Sequence, residues 1–344
     1  MFTWEHRDPD ATVLFVTNMW PDAERPVYGI FVERQIRSLI ACGLKCDVLY
    51  VRGYLGQHVY LVAALRMLLL RRRYRRKYSL VHAHAGESAM VISGLQGMPL
   101  VASYCGDDLL GHPRNDGSYS AIHKLRRLAI QQQSRLMTAT ITKSAEMGRV
   151  LPPKTSAHNN VVPNGVNQDV FRPIDRTEAR HAVGWPDDEK VVLFAATRPY
   201  ETRKRLDLAR AAVCEAERAI GPIRLMIAEN QSPDQVPLLM NASDCLLLTS
   251  ISEGSPNVVK EALMCNLPVV STDVGDVSEL LGGVEPSAVC RAHPSDLGTA
   301  VASILEAGHR CNGREQRREL SETVVAEHIL EIYANAEMAS RAQY

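Results

Sequence analysis

Short apolar runs alternate with helical patterns along the whole chain, and that alternation predicts two parallel-sheet domains. In the first half, residues 12–17, 46–51, 80–84, 100–104 and 138–142 read as strands. A loop rich in Pro and charge, 20–29, leads to a helix beginning near Phe31. Around Val161-Val162-Pro163-Asn164-Gly165-Val166-Asn167 the pattern turns into a connector that ends at Phe171-Arg172-Pro173, the expected domain boundary. The second half repeats the scheme: strand 191–196, helix 206–219, strand 223–228, helix 235–243, strand 245–250, apolar run 267–272 and helix 294–307. Residues 314–338 read as one more helix, with Val325, Ile329, Ile332 and Tyr333 at helical spacing.

The segment Ser252-Glu253-Gly254-Ser255-Pro256-Asn257-Val258-Val259-Lys260-Glu261 places two carboxylates eight positions apart across the start of a helix. Ser255 suits the N-cap and Pro256 the first helical position, where a missing N–H costs nothing. Amides of Asn257 and Val258 would then point out of a helix end that favours anions, so a phosphate can sit there without a metal. Glu253, in the loop, can reach a neutral polyol on one side of that phosphate, and Glu261 can reach hydroxyls on the other. A nucleoside diphosphate sugar has this layout, and the segment reads as a nucleotide-sugar donor site. An ordinary surface helix with two glutamates is the bland alternative.

Glu253-x7-Glu261, headed by Glu-Gly-Ser-Pro and followed by Leu267-Pro268-Val269-Val270-Ser271-Thr272, resembles the signature of the retaining family-4 glycosyltransferases. The resemblance implies an α/β chain of GT-B architecture, two Rossmann-like domains with parallel sheets facing a central cleft. It divides the chain into an acceptor-binding domain, 1–165, a donor-binding domain, 166–325, and a final helix, 326–344, returning to the first domain. It assigns Glu253 to the donor sugar hydroxyls, Glu261 to the ribose, and Arg198 and Lys204 to the diphosphate, with Gly254, Ser255, Pro256, Asn257 and Val258 around them. Arg203 and Arg205 flank Lys204, so the assignment within Arg-Lys-Arg is open by one position; a solvated basic loop is the alternative.

The chain departs from the family pattern in places. Gly275-Asp276-Val277-Ser278-Glu279 resembles a Gly-Gly-x-x-Glu turn with Asp276 at the second glycine, and Asn167 stands where an Asp is usual. Ser103-Tyr104-Cys105-Gly106-Asp107-Asp108-Leu109 resembles a Phe-His-Gly-x-Asp-Leu run, with Cys105 where the family histidine faces the donor. A thiol does not reproduce imidazole hydrogen bonding at neutral pH, so Asp107 or Asp108 is expected to take over polar contacts. His82 and His84 alternate along one strand and share a face; His84 lining the site and a buried structural pair are both open. Gly29 corresponds to the glycine-rich loop of the acceptor domain.

Composition narrows the partners. The 344 residues carry 46% apolar and 23% charged positions, a globular profile. Eight scattered cysteines form no Cys-x-x-Cys and read as thiols in a reducing compartment. Net charge is zero, yet residues 1–170 hold 21 Lys and Arg against 13 Asp and Glu, and the remainder 18 against 26. A basic first half suits an anionic partner. Nucleic acid is not expected, because aromatics are 6% and no recognition motif stands out. Leu61, Val62, Leu65, Leu68 and Leu69 share a face of a helix expected over 60–73, and six of the seven residues from Arg71 to Lys77 are basic. That helix either rests on an anionic membrane surface or faces the core with a solvated basic tail. No apolar run reaches membrane-spanning length and no signal-peptide layout opens the chain, so the expected place is the cytoplasm, at the inner face of the membrane if the helix binds lipid.

The expectation is a metal-independent, cofactor-free retaining transferase using a nucleotide-sugar donor and a sugar, polysaccharide or lipid-linked acceptor. The alternative is an inactive protein of the same fold that binds a nucleotide or a partner, for which Cys105 is the main support.

Overall fold

The computed structural model describes residues 1–111, 120–229, 231–232 and 234–342. The chain forms two compact units, Met1–Gly165 with Glu322–Tyr344, and Val166–Ser321.

The first unit is built on a seven-stranded sheet: β1 (Phe2–His6), β2 (Val13–Thr17), β3 (Cys46–Val51), β4 (Leu80–His84), β5 (Leu100–Ser103), β6 (Ala139–Thr142) and β7 (Asn159–Val161). Their order is β1-β3-β2-β4-β5-β6-β7, parallel except for β1 against β3. Strands β2 to β6 are buried along their whole length, as parallel strands covered on both faces must be. One face packs under the helices Ile30–Ala41 and Glu322–Arg341, with Ile36, Leu39, Val325, Ile329 and Ile332 over Phe15 and Ile141. The other carries Val59, Met67, Ile92 and Ile130.

The second unit holds β8 (Val191–Ala195), β9 (Arg224–Ala228), β10 (Cys245–Leu248), β11 (Val269–Thr272) and β12 (Ala288–Cys290), all parallel, in the order β12-β11-β10-β8-β9. Buried Arg180 anchors the opposite end from the site: its guanidinium reaches Asp244 at 2.9 Å and the carbonyls of Ala242 and Glu189 at 3.0 and 2.7 Å. Asn167 makes the same turn an Asp would, its Oδ1 accepting from the amides of Asp169 and Val170.

Several expected elements are corrected. The helix expected over 314–338 is broken: a short turn of helix, Gly313–Gln316, and a 3₁₀ turn, Arg318–Leu320, precede Glu322–Arg341. The helix expected over 60–73 is two, His58–Leu69 and Arg71–Lys77. Its buried side is Val59, Ala63 and Met67, while Leu61, Val62, Leu65, Leu68 and Leu69 all face outward. The reading of that apolar stripe as core is therefore wrong. No helix among the described residues is long and apolar enough to cross a membrane.

Candidate functional site

In the second unit the strand order reverses between β8 and β10: from β8 the chain steps to β9 on one side, then to β10 on the other. The crevice outside the carboxyl ends at such a reversal is where open α/β sheets bind ligands. Both loops that leave it carry the expected residues. After β8 come Arg198, the 3₁₀ turn Thr202–Lys204, and Arg205 held at φ 51°. After β10 come Ser250, Glu253 and the helix Asn257–Met264.

The two loops are stitched together. Thr249 Oγ1 lies 2.9 Å from the carbonyl oxygens of both Lys204 and Arg205, and the Ile251 amide donates to Arg203 O at 2.8 Å. Thr272 Oγ1, from β11, donates to Ser250 O at 2.8 Å. On this frame the Glu253 carboxylate, 12% exposed, accepts from Lys204 Nζ at 2.5 Å and Ser250 Oγ at 2.7 Å through one oxygen. Its other oxygen lies 3.5 Å from Arg203 Nη1. Arg198 stands apart at 78% exposure, bonded only loosely to the chain through Glu201 at 3.2 Å. The structure thus brings Lys204, Arg203 and Glu253 together and leaves Arg198 exposed and paired with Glu201.

The helix start differs from expectation. Pro256 occupies the N-cap and Asn257 is the first helical residue, so Ser255 does not cap. Instead Ser255 Oγ donates to Asp276 Oδ2 at 2.6 Å and accepts from the fully buried Lys260 Nζ at 3.0 Å. Burial raises the Asp276 carboxyl, while the Ser255 bond and the Lys260 charge pull it back. Asp276 is therefore not a blemish on a glycine turn but a tie that holds the Ser255 loop. Gly275, at φ 59°, lies so near the loop that a Cβ there would stand 2.8 Å from the carbonyl oxygens of Glu253 and Gly254. Glu261 is half-buried in the second turn of the helix, and Gly254 and Val258 are half-buried around its start.

In the first unit the expected residues collect at the carboxyl ends of β4, β5 and β6. Asp108 is buried, and its carboxylate accepts from the amides of Gly86, Cys105, Gly106 and Leu109 at 2.8 to 3.2 Å. It fastens the turn after β4 to the turn after β5. The Cys105 thiol is pushed up to about 12, by burial first and the Asp108 charge second, so it is a neutral weak donor. His82 is structural, its ring nitrogens 2.5 Å from Tyr333 Oη and 2.8 Å from Ser103 Oγ. His84 stacks on it with ring centroids 4.4 Å apart, fully buried, and neither of its nitrogens has a partner. Burial and the Lys143 charge hold His84 down at about 3, so it is neutral. Gly29, at φ 74°, packs on the Met19–Trp20 backbone, where a Cβ would stand 2.4 Å from Met19 C.

Lys143, Lys260 and Ser250 were not singled out from sequence. The available signal was positional: each lies at or just beyond the end of an apolar strand or inside the donor helix. Among the described residues no three His, Cys, Asp or Glu side chains cluster as metal ligands. From the sequence the donor base is expected near Ala228-Glu229-Asn230-Gln231, after a strand end; Asn230 lies outside the described residues.

The chain is similar in structure to sucrose-phosphate synthase from Thermosynechococcus elongatus, with a TM-score of 0.76, 16% identity, and 95% of this chain and 100% of that one covered. It is also similar to Anabaena HepE in complex with UDP, at TM-score 0.68 and 15% identity, covering 94% and 100%. The fold is that of the GT-B glycosyltransferases. The family described as "Glycosyl transferases group 1" matches residues 217–307. A Bacillus subtilis glycosyltransferase named for teichuronic acid biosynthesis, TuaC, is 25% identical over 334 residues, covering 78% of this chain and 83% of that protein. A D-inositol 3-phosphate glycosyltransferase of Catenulispora acidiphila is 27% identical over 276 residues, covering 68% and 64%. With the fold, these matches make the chain a glycosyltransferase enzyme.

Proposed function

We propose that this glycosyltransferase retains anomeric configuration, needs no metal, and moves a hexose-type sugar from a nucleoside diphosphate to a hydroxyl. The acceptor is a growing polysaccharide or glycolipid, taken by the first unit. One observation carries the reading: Lys204 and Glu253 meet at 2.5 Å where β8 and β10 end, beside the start of the helix bearing Glu261. Breaking a sugar–phosphate bond builds charge on the leaving diphosphate, and preorganised cations and amides stabilise it most when water is excluded. Lys204 and Arg198 supply the cations, and the helix start from Asn257 favours the anion. Glu253, half-satisfied by Lys204 and Ser250, turns its second oxygen to sugar hydroxyls, and Glu261 takes the ribose. In the transfer the C1–O bond to phosphate breaks and a bond from C1 to the acceptor oxygen forms on the same face. The hydroxyl proton passes to an oxygen of the departing diphosphate. The HepE structure with UDP makes uridine diphosphate the first candidate leaving group.

The outward Leu61, Leu65 and Leu69, followed by Arg71, Arg72, Arg73, Arg75 and Arg76, support rest on an anionic bilayer at the inner membrane face. Such a surface suits an acceptor carried on a lipid pyrophosphate. A second reading, nucleotide binding without transfer, is favoured by the protonated Cys105 thiol in place of an imidazole.

Thermal-shift binding of UDP, GDP and ADP in EDTA tests the donor site, on the wild type and Glu261→Ala. Selective stabilisation by one nucleotide, lost in the variant, is expected. No stabilisation by any of them sinks the donor assignment; stabilisation without sugar release or transfer selects the second reading.

A further inference from the structure

The loop after β8 carries four cations, Arg198, Arg203, Lys204 and Arg205, and each of them meets a carboxylate. Three acids share them. Glu253 takes Lys204 and lies 3.5 Å from Arg203, and Asp207 stands 3.7 Å from Arg205. Glu201 spans the two remaining guanidiniums with one oxygen each: Oε1 is 3.2 Å from Arg198 Nη1, and Oε2 is 3.1 Å from Arg203 Nε. A carboxylate bridging two guanidiniums occupies the place a phosphate group would take between them.

The local sequence fixes this acid where it stands. Pro199 suits the second position of a turn closed by the Glu201 amide, which donates to the Arg198 carbonyl at 3.2 Å. Glu201 then opens the 3₁₀ turn Thr202–Lys204 that bears Arg203 and Lys204. Its backbone is thus pinned, while its side chain is 33% exposed and has room to turn into water. Burial opposes ionisation, but the bonds from Arg198 and Arg203 outweigh it and hold the Glu201 carboxyl below the usual carboxylate range.

The acids that face Arg203 differ in how firmly they are held. Glu253 is 12% exposed and is also bonded to Ser250 at 2.7 Å. The partners of Glu201 are arginines exposed by 78% and 30%, and ion pairs open to water contribute little stability. We propose that Glu201 is a built-in competitor of the donor: its carboxylate holds Arg198 and Arg203 in the empty site and yields both to the diphosphate of the incoming nucleotide sugar. Arg203 thereby joins Lys204 as a diphosphate-binding residue, and its turn towards phosphate releases the second oxygen of Glu253 for a sugar hydroxyl. Once the sugar has left, Glu201 reclaims the arginines and weakens the hold on the nucleoside diphosphate. Glu201 touches no reacting atom; it is a positioning residue that acts through the two guanidiniums. The inference rests on the donor reading of this crevice.

The test is isothermal titration of the full chain in EDTA with UDP, GDP and ADP, and with uridine, guanosine and adenosine. Glu201→Gln keeps the shape of the side chain and removes its charge. It is expected to bind the preferred nucleoside diphosphate about three- to tenfold tighter than the wild type, while the matching nucleoside binds both alike. Glu201→Asp, which keeps the charge, is expected to return the affinity towards the wild-type value. The gain is expected to vanish when Arg198→Gln and Arg203→Gln are added, because no guanidinium is left to release. A nucleoside diphosphate bound equally or more weakly by Glu201→Gln overturns the inference and leaves the donor reading standing, as does a gain that the nucleoside shares. Binding of no nucleotide by either protein overturns the inference together with the donor reading, so the two failures are told apart.

Discussion

Gly275→Ala tests whether the donor loop is held by backbone contact, and the chain carries its own control. Gly275 and Gly184 both have positive φ, 59° and 71°, and both lie in the second unit. A Cβ at Gly184 meets nothing within 4 Å, so Gly184→Ala costs only the left-handed backbone, about 1–2 kcal/mol. A Cβ at Gly275 meets two carbonyl oxygens at 2.8 Å and Gly254 C at 3.1 Å, all backbone atoms without a rotamer to escape into. Overpacking of that kind adds about 1–3 kcal/mol, so Gly275→Ala should cost about 2–5 kcal/mol in total. For a unit of this size each kcal/mol lowers the melting temperature by about 2–4 °C. The relief is a shift of the Glu253–Gly254 backbone, which carries the carboxylate held 2.5 Å from Lys204 and 2.7 Å from Ser250. Displacing it should weaken the favoured nucleotide sugar about tenfold, some 1.4 kcal/mol. Urea melts and isothermal titration on both variants read the two effects. Should Gly275→Ala melt with Gly184→Ala and bind the nucleotide sugar as the wild type does, the contact does not hold the loop.

Other expectations follow from burial and charge. With its thiol near 12, Cys105 should resist iodoacetamide at pH 8 while exposed Cys42 and Cys214 label, as read by peptide mass spectrometry; early labelling of Cys105 contradicts its placement. His84 sits at about 3 when folded against an ordinary unfolded value of about 6.5, so its contribution is present above 6.5 and lost as pH falls towards 3. From pH 7 to 5 the wild type should lose about 2 kcal/mol more than His84→Gln in urea melts, and parallel losses would refute the burial argument. Leu65→Glu with Leu69→Glu should cut co-sedimentation with phosphatidylserine vesicles about tenfold without lowering the melting temperature, because both leucines face outward. Equal sedimentation of wild type and variant removes the membrane surface from the proposal.

What the sequence revealed and what it concealed divide along one physical line. Strands buried on both faces read as continuous apolar runs, so β2 to β6, β8, β10 and β11 were legible in a single chain. The edge strand β1, Phe-Thr-Trp-Glu-His, and the three-residue strands β7 and β12 present no such run, because half their surface meets water or loop. The donor segment was legible because Glu253, Glu261 and the helix start lie within a dozen residues. Lys204 came from the family resemblance, which left the choice within Arg203-Lys204-Arg205 open by one position. Periodicity told which residues of the helix at 58–69 share a face, but not which face turns inward: Val59, Ala63 and Met67 make an equally regular stripe.

Buried charge was the deeper blind spot. Lys143 and Lys260 read as solvated side chains, since lysine is almost never fully buried without a partner. Lys260 has one in Ser255, tied in turn to Asp276, and the three form a brace that makes sense of an acid where a glycine was expected. Lys143 has none among the described residues. Asp108 and His84 make the same contrast in reverse. The acid is tied by four backbone amides, whereas neither ring nitrogen of the histidine has a hydrogen-bond partner. Hydrogen-bond saturation, which spacing along a chain cannot report, separates the tied Asp108 carboxylate from the unpaired His84 ring.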